Sequence, residues 1–337
     1  MTLPAQMLGI VISTPGGPQV LQLQPMPLPL VHSGDVLVRV AAAGINAPDL
    51  QQRRGLYDPP PGHSPMPGLE IAGEIIAVGS GVADFVPGDR VVALCNGGGY
   101  AEYVAIPAGQ VLPLPLGWSF VEGAALPETY FTVQQTLVQR AGLEAGMTVL
   151  IHGAAGGIGG AAIVLAALYG AKPIAVVSSP EKAAYATALG AVAVIDHTSE
   201  DFVARTRDLT GGNGADRIVS LAGGDMLARN IAAAARGATI VQLAGLGGEK
   251  SEIDVGHIVG KWLTIIGSTL RPRSPAAKAA IATSLRHEVW PALADGRIRP
   301  PRIQIFPFNQ VVEAHRAMEA RENLGKIVLV TAFGAAA

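Results

Sequence analysis

The spacing of apolar positions changes character twice along the chain. Up to about residue 122 the apolar runs are short and cut by Gly and Pro, as at 36–40, 72–78, 90–94 and 100–106. Short runs with frequent turn signals predict a compact, mostly antiparallel β-domain. From about residue 129 to 269 the texture becomes strand, then Ala-rich helix, then strand. Strands are predicted at 149–152, 174–178, 192–195, 217–221, 239–243 and 264–267, with helices between most of them, for example 158–169 and 181–189. Such alternation builds a parallel, doubly wound sheet with helices on both faces, an α/β class. From about Pro275 the pattern is mixed again, with helices near 276–294 and 310–320 and a last strand at 326–330. The Pro-rich stretch 25–29 reads as an extended connector.

A chain of 337 residues exceeds one typical core, so two domains are expected. Hydrophobic residues make up 49% and charged residues 15%, which suits a well-buried α/β protein rather than a disordered one. The formal net charge is −2 and no Lys/Arg cluster runs along any segment. Neutralising phosphates needs concentrated cations, so no nucleic-acid partner is expected. The single cysteine, Cys95, excludes an internal disulfide and any multi-cysteine metal site. No apolar run reaches the roughly 18–20 residues that span a bilayer, so no membrane partner is expected. The N-terminus lacks a cationic start followed by a long apolar core, and a cytoplasmic protein is the expectation.

Candidate chemistry begins after the predicted strand at 149–152. Gly153-Ala154-Ala155-Gly156-Gly157-Ile158-Gly159 follows it and opens an Ala-rich helix. Read from Ala154, this is an A-x-G-x-x-G form of the dinucleotide fingerprint. Gly156 lets backbone approach a pyrophosphate, Gly159 permits close helix–strand packing, and the helix N-terminus at Ala155, Gly156, Gly157 and Ile158 offers N–H groups to the phosphates. An NAD site normally places an acid near the end of the second strand, on the ribose 2′-OH. Here Ser178 and Ser179 stand there, with Lys182 one helical turn on. That set repels no 2′-phosphate and can bind one, which favours NADPH. The alternative is a solvated helix start with an ordinary surface lysine.

Several motifs carry a resemblance. They are Ala41 to Leu50 (AAAGINAPDL), Gln52 to Gly62 (QRRGLYDPPPG), Gly68-Leu69-Glu70, Gly88 to Val91, Gly97 to Tyr103, Leu126-Pro127-Glu128 and Asn323 to Leu329 (NLGKIVL). On these the sequence resembles the medium-chain dehydrogenase/reductase superfamily. Within it the chain is similar to the zinc-independent quinone oxidoreductases, closest to their tumour-suppressor-inducible branch. The resemblance implies a GroES-like β-rich catalytic domain from residues 1–128 and 270–337, with a six-stranded parallel Rossmann domain at 129–269 inserted between. In zinc-dependent relatives a cysteine stands where this chain has Asn46, and a histidine where it has Leu69 before Glu70. A catalytic zinc needs three N, S or O ligands, and His32, His63 and His152 form no ligand-spaced cluster, so no metal is expected.

Roles transferred from the resemblance follow. Tyr57 and Asn46 are the polar candidates facing substrate. Tyr57 either donates a hydrogen bond to a quinone oxygen or anchors the turn beside Pro59-Pro60-Pro61; Asn46 also touches the cofactor or stabilises its own loop. Asp49 reads as a helix cap. Thr132 lines the nicotinamide pocket or packs its helix. Gly223, Gly245 and Leu246 end two parallel strands, where cofactors lie in doubly wound sheets; either glycine can equally serve a turn. Asn323 and Lys326 return to the cofactor, and His197 stands where relatives place a tyrosine near the adenosine phosphate. Arg271 and Arg273 reach the cleft or stay on the surface. The apolar edge at 264–271 implies a homodimer, with a tetramer as the alternative. The function expected is NADPH-dependent reduction of a small-molecule quinone. Reduction of an enoyl or α,β-unsaturated carbonyl (enone) substrate stands second, and a low-turnover, crystallin-like NADPH-binding protein third.

Overall fold

Short alternating runs punctuated by Gly and Pro fold into the strands of a first unit. The computed structural model describes residues 3–337, which fall into two units: the chain up to Phe131 with Arg271–Ala337, and Thr132–Leu270. The first opens on an antiparallel ribbon of β1 (Gln6–Ile12) and β2 (Leu21–Pro27). This differs from the connector expected at 25–29, since Pro25 pairs with Leu8 and Pro27 with Gln6. In a two-stranded ribbon β2 is an edge, and an edge tolerates a nitrogen that donates nothing. There follow β3 (Asp35–Ile45), β4 (Glu70–Val78), β5 (Arg90–Leu94), β6 (Tyr103–Pro107) and β7 (Val111–Pro113). Helices α1 (Ala47–Arg53), α2 (Phe120–Gly123) and α3 (Pro127–Val133) accompany them.

The second unit carries β8 (Thr148–His152), β9 (Lys172–Val177), β10 (Ala193–Asp196), β11 (Ala215–Ala222), β12 (Ala234–Leu246) and β13 (Thr264–Gly267). Helix α4 (Gly157–Leu168) follows β8 and α5 (Pro180–Ala188) follows β9. The sheet order is β10-β9-β8-β11-β12-β13 and every pairing is parallel. Counted from the first strand of the unit this is 3-2-1-4-5-6, the Rossmann order, so the switch point lies between β8 and β11. Leu150, Ile174, Ile218 and Ile240 centre its core. The expected six-stranded parallel sheet is therefore present.

The chain then returns to the first unit with β14 (Ile303–Pro307) and β15 (Lys326–Val330). β15 lies antiparallel to β3, with Ile327 opposite Ile45, giving the order β14-β15-β3-β4-β5-β7 with β6 also on β3. The helix expected over 276–294 is two, Pro275–Glu288 and Trp290–Ala294. Pro291 has no N–H to continue the ladder. Among the described residues no helix is long and apolar enough to cross a membrane.

Candidate functional site

In the second unit β8 leads into the glycine turn at the switch point. Gly153 holds φ 62°, and Gly156 caps α4 in extended backbone with no side chain claiming the first-turn N–H groups of Gly157 and Ile158. The fingerprint glycines differ in what they serve. A Cβ on Gly159 sits 2.3 Å from the Gly153 carbonyl oxygen and 2.6 Å from Ala154 Cα, so the turn itself demands glycine there. A Cβ on Gly156 meets nothing closer than 3.4 Å, and its φ of −86° suits any residue. The protein's own packing gives no reason for glycine at 156, whereas a group brought against that backbone does. Ala155, beside it, is buried.

At the end of β9, Ser179 Oγ accepts the Lys182 N–H at 3.3 Å and so caps α5. Lys182 Nζ donates to Ser178 Oγ at 3.1 Å, bringing the three expected residues into one cationic cluster. The exposed His197 is tied to this strand end through its N–H to the Val177 carbonyl. A Cβ on Gly245 meets nothing closer than 3.4 Å, but one on Gly223 would lie 1.9 Å from the Gly248 carbonyl oxygen. Gly223 donates to the Leu246 carbonyl, so loop-on-loop packing accounts for its glycine without a ligand. Thr132 is half-buried and its hydroxyl has no protein partner among the described residues, while its carbonyl accepts from Thr136 Oγ1 at 2.7 Å. His152 is a satisfied core residue: Nε2 meets Asn230 Oδ1 at 2.8 Å, and burial pulls the imidazole down to about 4.

In the first unit the turn between β3 and α1 holds Asn46. Its N–H donates to Asp49 Oδ2 at 2.9 Å, and Asp49 Oδ1 accepts the Gly68 N–H at 2.9 Å, so Asp49 caps α1 and ties it to the approach to β4. Burial outweighs these donors and raises the Asp49 carboxyl to about 6. The Asn46 side chain turns inward, with Nδ2 donating to Glu70 Oε1 at 2.8 Å and Oδ1 accepting from Lys326 Nζ at 2.6 Å. Lys326 spends its remaining donors on Glu70 Oε1 and the Ile45 carbonyl. The cofactor contact expected of the Lys326 side chain therefore has no donor left. A carboxylate as buried as Glu70 is neutralised on the spot, and Lys326 does that. Asn323 makes a local contact, Nδ2 to the Gly325 carbonyl at 3.3 Å.

A second polar group surrounds Tyr57. The Tyr57 hydroxyl has no hydrogen-bond partner among the described residues, and its half-buried ring lies 5.7 Å from Arg271 Cζ. Burial first and Glu128 second push its phenol up. Arg271 is buried, not superficial: Nη1 donates to Gln52 Oε1 at 2.7 Å, Nη2 to the Ser64 carbonyl at 3.2 Å, and Nε has no partner among the described residues. Arg273 is exposed. Lys278, also buried, donates to Asn96 Oδ1 at 2.6 Å and the Arg271 carbonyl at 2.8 Å, and burial lowers it to about 8. Both cations thus rest on neutral acceptors. Glu128 stands in the first turn of α3, its N–H on Glu70 Oε2 at 2.9 Å and its partly buried carboxyl without a hydrogen bond among the described residues.

Sequence reasoning missed Glu70, Glu128, Gln52 and Lys278 as site residues. The usable signal was an acid directly after an apolar or proline residue in Gly68-Leu69-Glu70 and Leu126-Pro127-Glu128. At the positions where zinc-dependent relatives carry ligands, the Asn46 amide is committed to Glu70 and Lys326, and Leu69 is apolar and buried. Among the described residues no group of three or more His, Cys, Asp or Glu is placed to hold a metal ion.

A Rossmann sheet with its glycine turn at the switch point, together with a β-rich unit built on a buried polar cluster, defines a class of dinucleotide-dependent oxidoreductases. Comparison with known proteins agrees. The family described as alcohol dehydrogenase GroES-like domain matches residues 32–116, and that described as zinc-binding dehydrogenase matches 157–285. Human quinone oxidoreductase is 31% identical over 320 residues, covering 94% of this chain and 95% of its own. The structure of the Escherichia coli quinone oxidoreductase complexed with NADPH matches with TM-score 0.84 at 30% identity, over 96% of this chain and 99% of that one. That of CurK enoyl reductase matches with TM-score 0.85 at 26% identity, over 97% and 99%. The chain belongs to the medium-chain dehydrogenase/reductase superfamily and is an oxidoreductase of that family.

Proposed function

We propose that this protein is a cytoplasmic NADPH-dependent quinone reductase that works without zinc. The observation that carries the reading is the pairing of Gly156, whose glycine the protein does not need for itself, with a cationic end to β9. Gly156, Gly157 and Ile158 would hold the pyrophosphate, with Ala155 in the turn beside them; Ser178, Ser179 and Lys182 would hold the 2′-phosphate. Thr132, His197, Gly245, Leu246 and Asn323 complete the proposed cofactor contacts. NADPH, when bound, supplies a hydride.

The chain's own part is to orient a small-molecule acceptor and stabilise oxygen charge. Tyr57 Oη–H and Arg271 Nε–H, both without partners among the described residues, would donate to that oxygen. Asn46 acts from behind, fixing the β3–α1 turn through Glu70 and Lys326. The same donors suit the oxygen of an enone, which keeps reduction of α,β-unsaturated carbonyls as the second reading. A homodimer through the edge strand β13 is part of the proposal, supported by the exposed Val255, Val259, Trp262 and Ile265.

The test is NADPH oxidation, with NADH as control, against 1,2- and 1,4-quinones and enones, with and without a chelator. NADPH-preferring, chelator-insensitive turnover of quinones is expected, with Tyr57→Phe lowering turnover more than NADPH affinity. Preference for enones moves the protein to the second reading, and binding without turnover of either class overturns both.

A further inference from the structure

Two-electron reduction of a quinone or enone needs a proton as well as a hydride, and the first unit holds several acids that differ in their freedom to give one. Glu70 is fully committed to Lys326, Asn46 and the Glu128 N–H. Asp49 is committed to the N–H groups of Asn46 and Gly68. Glu128 alone of these carboxyls has no hydrogen bond among the described residues. Its main-chain N–H is pinned to Glu70, which anchors the residue in the first turn of α3.

The cations that face Glu128 make their hydrogen bonds to other groups. Lys326 is spent on Glu70, Asn46 and Ile45, Lys278 on Asn96 and the Arg271 carbonyl, and Arg271 on Gln52 and Ser64 through its two Nη groups. None pairs with Glu128, and the neighbouring carboxylates Glu70 and Asp49 repel a charge on it. The Glu128 charge is felt by both Tyr57 and Arg271, so the three groups share one neighbourhood of the first unit.

We propose that Glu128 is the proton donor of the reductase, a role that rests on the NADPH-reductase reading above. The hydride carries two electrons to the acceptor and leaves a negative oxygen. The O–H bond of Glu128 breaks, a new O–H bond forms on that oxygen, and solvent water reprotonates the carboxylate. Burial, then Glu70 and Asp49, against Lys326 and Lys278, raise Glu128 to about 8, so it is protonated and close to matched with the medium at neutral pH. Tyr57 starts at 10.0 and is pushed higher, which makes it the poorer acid and leaves it as a hydrogen-bond donor.

The experiment measures kcat against pH with NADPH and a 1,4-naphthoquinone for wild type, Glu128→Gln, Glu128→Asp and Tyr57→Phe. Wild-type kcat is expected to fall tenfold per pH unit above a midpoint near 8. Glu128→Gln lowers kcat by about 100-fold or more and loses that limb, with NADPH affinity unchanged. Glu128→Asp and Tyr57→Phe keep the limb. A Glu128→Gln enzyme that retains the alkaline limb, or wild-type kcat, overturns the proposal while leaving the reductase reading intact. Absence of turnover by wild type on quinones and enones overturns that reading and this role with it. Infrared titration of the free protein adds an activity-independent readout. A protonated-carboxyl band lost in Glu128→Gln supports the proposal, and its absence at neutral pH overturns it.

Discussion

Lys326 Nζ donates to Glu70 Oε1 at 2.5 Å where the two side chains are 4% and 0% exposed, across a chain separation of 256 residues. Breaking one side of a buried pair strands the other charge, which costs about 3–5 kcal/mol. Lys326→Met is therefore expected to lower the urea midpoint by that equivalent at unchanged m, and pairing it with Glu70→Gln to recover part of the loss. A single variant with wild-type stability would remove the pair from the account.

At the end of β9, Lys182→Ala should separate the two nicotinamide cofactors. A charge-assisted hydrogen bond to phosphate contributes about 1.5–3 kcal/mol, so the Kd for NADPH rises about 10- to 100-fold while that for NADH stays within twofold. Fluorescence titration of both cofactors checks this; equal losses for both would mean that Lys182 does not read the 2′-phosphate.

The glycine turn offers a paired contrast. Gly159→Ala places a methyl 2.3 Å from the Gly153 carbonyl oxygen, so loss of stability is expected, of about 1–3 kcal/mol or more. Gly156→Ala meets only ordinary contacts and should melt like wild type, yet bind NADPH at least tenfold more weakly. Thermal melts with cofactor titrations on both variants decide it, and wild-type NADPH affinity in Gly156→Ala would contradict the cradle.

His152 predicts an acid limb of stability. Its folded value of about 4 lies below the unfolded 6.5, so the stability is complete above 6.5 and is lost as pH falls toward 4, because the unfolded chain takes up the proton first. One pKa unit is about 1.4 kcal/mol, which makes the loss on the order of 3 kcal/mol. His315, lowered to about 3 by burial, adds a second contribution in the same direction. Urea unfolding between pH 7 and 4 should show the slope, reduced in His152→Gln; an unchanged slope would assign the limb elsewhere.

Much of the architecture was legible because it is written locally. Period-two runs and the strand–helix alternation located all six strands of the parallel sheet, and the last strand, Lys326–Val330, was placed to the residue. Residues 25–27 of the expected connector became strand because proline's cost depends on whether a neighbour needs its N–H, which a single strand does not reveal. The residues proposed for the cofactor could be grouped for the same local reason: Gly156, Ser178 and Lys182 lie within one βαβ unit. Those proposed for the substrate could not. Arg271 meets Gln52 across 219 residues and Lys278 meets Asn96 across 182, and no local pattern encodes such meetings. The glutamates were visible as motif letters, but their division into a committed Glu70 and a free Glu128 exists only in three dimensions.

The seating of β15 against β3 sets a timetable for biosynthesis. The second unit is one continuous stretch, Thr132–Leu270, and can close as soon as it leaves the ribosome. The first must hold its central sheet incomplete until residues 326–330 arrive to pair with β3. Until then Glu70 lacks its cation and the nascent sheet presents an unsatisfied edge. The part of the chain made first is thus the part finished last.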